Sequence, residues 1–124
     1  NLIAVVMSRF CLWETAYFLA KRQWRQAFRR RSKEPTHSPL GDGQTVATWY
    51  YGPSDFSAYF EKAFEQVACQ AVGFFLPPSY LEPTFAQRGD LLHRLNRWEL
   101  ATQHQSFWAA AADHYLLSLR KKDA

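Results

Sequence analysis

Arg9, Phe10, Trp13 and Glu14 follow directly on the apolar run Leu2–Met7. A guanidinium, two aromatic rings and a carboxylate in so short a stretch are the parts of a binding pocket. The cation takes an anionic or polar group, the rings give faces, and the carboxylate either accepts a proton or complements a helix N-terminus. Ligands in open α/β sheets bind past the carboxyl ends of the strands, where these residues fall if Leu2–Met7 is a strand. The same rings serve equally well to pack a helix on a sheet. Tyr17, Tyr50, Tyr51, Phe75 and Tyr80 form a second set, an aromatic lining for a flat or cationic ligand, or core. A third feature is a basic run of seven Lys or Arg from Lys21 to Lys33, with no acid among them and with Trp24 and Phe28 interleaved. It reads as a solvated face or, in decreasing order of preference, a contact for an anionic substrate, a membrane surface or RNA. His37, His93, His104 and His114 show no metal-ligand spacing among themselves or with Cys11 and Cys69, so no metal site is expected, and no Gly-x-Ser-x-Gly elbow for a serine nucleophile occurs.

The elements that must position these residues follow from apolar periodicity. Leu2–Met7 is continuous, with Ile and Val, and predicts a strand buried on both faces. Such a strand wants neighbours on both edges, so the expectation is that sequence normally precedes residue 1. The alternative is an ordinary first strand paired with a later one. Leu12 to Arg31 reads as one long helix, its second half basic. Residues 32–45, punctuated by Pro35, Pro39, Gly41 and Gly43, read as a mobile loop. Val46–Tyr51 looks extended, and Ser54 is a natural N-cap for a short helix carrying Phe56, Tyr59 and Phe60. Phe64–Leu76 reads as a strand stopped by Pro77 and Pro78, with Gly73 marking a bulge or close approach. Glu82–Gln103 reads as a second helical region, residues 106–112 as a short helix, and Tyr115–Leu119 as a terminal strand. Alternation of this kind predicts an α/β fold.

The 124 residues bound the chain to one domain, and 48% hydrophobic with 21% charged residues excludes wholesale disorder. Aromatics at 17% demand a core or a pocket. No window reaches the ~18 apolar residues of a membrane span. Two cysteines without a Cys-x-x-Cys pair form no disulfide framework, which points to a reducing, cytoplasmic setting.

The run Val5-Val6-Met7-Ser8-Arg9-Phe10-Cys11-Leu12-Trp13-Glu14 resembles the fifth strand and following loop of class I S-adenosylmethionine-dependent methyltransferases, of the group that includes the ubiquinone-biosynthesis enzymes. Trp49 to Phe56, Ala63-Phe64 and Gly73 to Leu81 are similar to the last helix, the sixth strand and the loop after it. Asp113 to Arg120 is similar to the seventh strand. The resemblance spans nearly the whole chain. It implies the last three strands of a Rossmann-like sheet, the seventh antiparallel and inserted between the fifth and sixth, with helical lid insertions. Residues 1–124 would then be one partial domain, the substrate-side C-terminal half of the enzyme. The family grips S-adenosylmethionine upstream, by a Gly-rich turn and an acidic residue that this sequence lacks, so the isolated chain is expected to be inactive. The implied acceptor is a small molecule, and the implied site residues are the nine named above, with no general base assigned. The implied partners are the missing N-terminal half or a second copy at the open sheet edge. The alternative is a basic, aromatic-rich binding module for RNA or an anionic membrane surface; among partners in general, peripheral membrane contact stays open and nucleic acid is disfavoured.

Overall fold

The final strand organises the molecule. In the computed structural model, which describes residues 1–123, β5 (His114–Lys121) lies at the centre of a three-stranded sheet. It pairs antiparallel with β1 (Leu2–Met7) on one side and with β4 (Phe64–Val72) on the other. A chain end holds the middle because its sequence alternates: Tyr115, Leu117 and Leu119 all point to one face and are fully buried. Cys69 of β4 joins them, with Leu2 and Val6 of β1 at the margin.

Two short helices cover that face. Phe56 of α3 (Pro53–Ala58) and Phe60 just beyond it pack with Phe64 in a chain of tilted and edge-on rings. Ala109, at the end of α6 (Ser106–Ala109), has no exposed surface. The opposite face is different. Ile3 and Val5 are 65% and 61% exposed, and Val72 of β4 stands partly bare on the same side. The expectation that Leu2–Met7 is buried on both faces is therefore not met. In this chain β1 is an edge strand with one packed face, because no second layer lies over Ile3 and Val5. Among the described residues the fold is a mixed α/β domain with an antiparallel sheet, a separate hairpin and six short helices; it contains no parallel Rossmann sheet.

The long helix expected over residues 12–31 is broken into α1 (Leu12–Ala20), α2 (Trp24–Ala27) and a 3-10 turn at Arg29–Arg31. The break falls at Arg22, whose φ of 57° lies in the left-handed region. Thr15 reaches across to the Ala27 carbonyl at 3.3 Å, so α2 folds back on α1. Most of the stretch read as a loop, 32–45, is also ordered differently. It belongs to a hairpin of β2 (Thr36–Gly41) and β3 (Gln44–Thr48), turned by Gly41-Asp42-Gly43, all three at positive φ.

Three smaller readings shift. Gly52, not Ser54, stands at the N-cap of α3, with Pro53 at the first helical position. The strand from Phe64 ends at Val72 rather than Leu76. The helical region after Glu82 divides into α4 (Glu82–Phe85) and α5 (Gly89–Thr102). Gly73 does mark a close approach. Its φ is +75°, its carbonyl accepts from Asp113 N–H at 3.1 Å, and a Cβ there would sit 3.3 Å from Asp113 Cβ.

Candidate functional site

The chain leaving β1 divides its chemistry between surface and interior within a few residues. Ser8 is fully buried, its hydroxyl donating to the Ala109 carbonyl at 3.1 Å. Arg9 turns outward. Its backbone N–H donates to the Tyr51 carbonyl, and its guanidinium meets Asp55 in the first turn of α3 at 2.8 Å. Tyr51 is held in place by Tyr115, whose hydroxyl donates to the carbonyls of Tyr51 and Gly52, both at 3.2 Å. Burial raises the Tyr115 phenol well above the usual range, so it stays a neutral donor. Arg9, Tyr51, Asp55, Ala58 and Tyr59 line a cleft of about 470 Å³ past the carboxyl end of β1. The Tyr51 and Tyr59 rings meet edge-on across 5.9 Å. The cleft thus offers an ion pair for polar groups and two phenol rings for a flat one.

Glu14 goes the other way. It is 1% exposed and lies between Arg29 and Arg30, both of which pair with it. Arg30, itself buried, also bonds Asp113 Oδ1 at 2.6 Å and the carbonyls of Ser8 and Asp113 at 3.3 and 3.1 Å. Its guanidinium covers the buried Tyr50 ring at 5.0 Å. His114 Nδ1 lies 2.9 Å from Asp113 Oδ2. Burial works against charge on Asp113, but the hydrogen bonds from His114 and Arg30 prevail, and its pKa falls below the ordinary value. Burial likewise works against the Arg30 cation, and Glu14 and Asp113 outweigh it, so its pKa is raised. Cys11, at the head of α1, is buried beside this group, and desolvation pushes its thiol up. Glu14 and Tyr50 are therefore members of a buried ionic clamp, and Glu14 does not line the Arg9 cleft.

A third setting gathers the remaining rings. Trp13 donates from Nε1 to the Phe74 carbonyl at 2.9 Å and meets Phe85 edge-on at 5.5 Å. Tyr17 approaches Tyr80 at 6.2 Å, and the Lys21 ammonium lies over the Tyr17 ring. Burial, aided by the nearby Glu14 charge, raises the Tyr80 phenol well above the usual range. Phe75 packs against Trp98 and Trp108. The turn that presents Phe74 and Phe75 is caged by Glu99 of α5, whose carboxylate accepts backbone N–H groups from Gly73, Phe74, Phe75 and Leu76 at 2.7 to 3.4 Å. Phe10 lies under Arg31 at 5.6 Å.

The nine residues singled out in the sequence thus fall into separate places. Arg9 and Tyr51 share the cleft, Glu14 and Tyr50 share the clamp, Trp13, Tyr17 and Tyr80 meet aromatic or carbonyl partners around α1, Phe75 packs on Trp98 and Trp108, and Phe10 lies under Arg31. Asp55 and Tyr59 of the cleft were read only as helix formers. Arg30 was one member of a basic run, and Asp113 and Glu99 carried no signal. Their partners lie 83 and about 25 residues away in sequence. No three His, Cys, Asp or Glu side chains gather as a metal-ligand set among the described residues. No helix there is long and apolar enough to cross a membrane. The chain matches no protein-family model and no curated protein sequence.

Proposed function

We propose that this chain is the acceptor-binding C-terminal portion of a Rossmann-like, S-adenosylmethionine-dependent methyltransferase acting on a small molecule. The observation that carries the reading is the strand order. β5 sits between β1 and β4 and runs antiparallel to both, so β1 and β4 run parallel to each other. This is the order that the resemblance implies for the last three strands of that sheet. The Arg9 cleft lies past the carboxyl end of β1, on the side where open α/β sheets take their ligands.

The residues of this chain do not fit the cofactor. Gly41 and Gly43 form its only close glycine pair, and they turn a hairpin with open space around them rather than leading into a helix N-terminus. The chain's own part is to hold and orient an acceptor. The Tyr51 and Tyr59 rings, in edge-on contact, give a flat body a ring face to lie against, Arg9 takes a developing or resident negative charge, and Asp55 accepts from a hydroxyl or amine. Methyl transfer is a displacement whose reactive carbon comes with the cofactor, so alignment of this kind is what the protein adds.

The test compares two proteins. The product of the whole gene is expected to bind S-adenosylmethionine and transfer its methyl group; the 124-residue chain alone is expected to give no binding heat on titration with it. Tight binding by the chain alone, or none by the whole product, overturns the reading. In the active protein, Arg9→Ala is expected to raise the KM for the acceptor about tenfold or more, the loss of one charged hydrogen bond, with cofactor affinity unchanged.

A further inference from the structure

The tertiary structure sorts the basic run into two kinds of cation. Arg29 and Arg30 turn inward to Glu14, whereas Lys21, Arg22, Arg25, Arg31 and Lys33 stay exposed. The left-handed turn at Arg22 folds α2 back on α1, and residues 21–26 are all exposed on the outer side. Trp24 opens α2 and Phe28 caps its end, four residues apart. Trp24 is 64% exposed, and Arg31 lies over the Phe28 ring at 5.6 Å. No acid interrupts the stretch between Glu14 and Glu34.

We propose that the surface around α2 docks on anionic phospholipid headgroups. The guanidinium and ammonium groups of Lys21, Arg22, Arg25 and Arg31 meet the phosphates and carboxylates of the lipids, and the Trp24 and Phe28 rings enter the headgroup layer. Charge complementarity supplies the attraction, and an indole and a phenyl rimmed by cations suit an interface with one wet and one apolar side. A strand of RNA needs a row of rings on which successive bases stack, and this surface offers two, Trp24 and Phe28. The inference goes beyond the methyltransferase reading and does not use its cleft, so either can fail without the other.

Co-sedimentation of the full chain with vesicles tests it, comparing pure phosphatidylcholine with phosphatidylcholine mixed with phosphatidylserine. Binding is expected to the mixed vesicles only, and to weaken as salt is raised. A near-surface cation contributes about fivefold, so the triple variant Arg22→Ala, Arg25→Ala and Arg31→Ala is expected to bind on the order of a hundredfold more weakly. Trp24→Phe is expected to lose most of the blue shift in indole emission seen with vesicles. Arg94→Ala with Arg97→Ala, on α5, is expected to leave binding unchanged. If the triple variant loses its circular dichroism signature, Arg25→Glu alone is read instead, with a loss of about fivefold or more expected. Three results overturn the proposal: no retention on mixed vesicles at low salt, retention unaffected by these substitutions, or tighter binding to a single-stranded RNA oligonucleotide than to the vesicles.

Discussion

Glu14 shows how one side chain changes meaning once its surroundings are known. Seven residues past a strand end, it has the type and place of a catalytic base. Buried between Arg29 and Arg30, it is instead the anchor that draws the basic segment back over α1. Removing one partner of a buried ion pair leaves the other charged and desolvated, so Arg30→Ala is expected to cost about 3–5 kcal/mol in urea unfolding. Asp113 gives the same clamp a pH signature. Its folded-state pKa is depressed by His114 and Arg30, so its contribution is fully present above the ordinary carboxylate value of about 3.9 and disappears as pH falls through the folded value. Unfolding midpoints taken between pH 5 and pH 2 are expected to drop more steeply for the parent than for Asp113→Asn. Cys11, with its thiol raised by burial, is expected to react with a thiol reagent at pH 8 only as fast as the chain opens.

Besides the apolar packing of α3 and α6, helices and strands are joined in this molecule by polar contacts to the backbone of turns. Glu99 sits in the last turn of a helix whose sequence reads as an ordinary amphipathic stretch, yet its carboxylate closes the Gly73–Leu76 turn and ties α5 to the end of β4. Glu99→Ala leaves several donors without an acceptor and is expected to cost about 2–4 kcal/mol; Glu99→Gln keeps one oxygen and is expected to cost about half of that. The glycines at either end of this connection make an internal control. Gly73→Ala places a Cβ at a φ of +75° and 3.3 Å from Asp113 Cβ, and is expected to destabilise by about 1–2 kcal/mol. Gly89→Ala, at the start of α5 with open space around it, is expected to be neutral or stabilising by about 0.5–1 kcal/mol. Thermal unfolding of the two variants checks both signs. Gly73 could be singled out from its place after an apolar strand. Glu99 could not, because the N–H groups it serves belong to a turn about 25 residues away.

Across the whole molecule the sheet has a finished face and an unfinished one. Tyr115, Leu117 and Leu119 are sealed under α3 and α6, while Ile3 and Val5 stand out on the other side of an edge strand with no strand beyond it among the described residues. At the outer edge of β4, by contrast, Ala71 N–H donates to the Gln103 carbonyl at 3.0 Å, so that edge is partly covered by the chain after α5. An open apolar edge pairs with whatever strand is available. The chain alone is therefore expected to self-associate with rising concentration in sedimentation velocity, and Val5→Lys to return it to monomer. A dilute and a concentrated sample with the same monomeric profile would remove this expectation.

Periodicity and composition were enough to place the three sheet strands, to set α3 after the Gly52-Pro53 turn and to mark Arg9 as a residue beyond a strand end. These are local properties: alternation, turn chemistry and the order of apolar runs act over a few residues. The break of the basic helix at Arg22, the hairpin drawn from a Pro- and Gly-rich stretch, and the roles of Glu14, Arg30, Asp113 and Glu99 depend on partners far along the chain. A buried charge takes its meaning from the counter-charge the fold delivers to it, and neither side of such a pair carries a mark of the other.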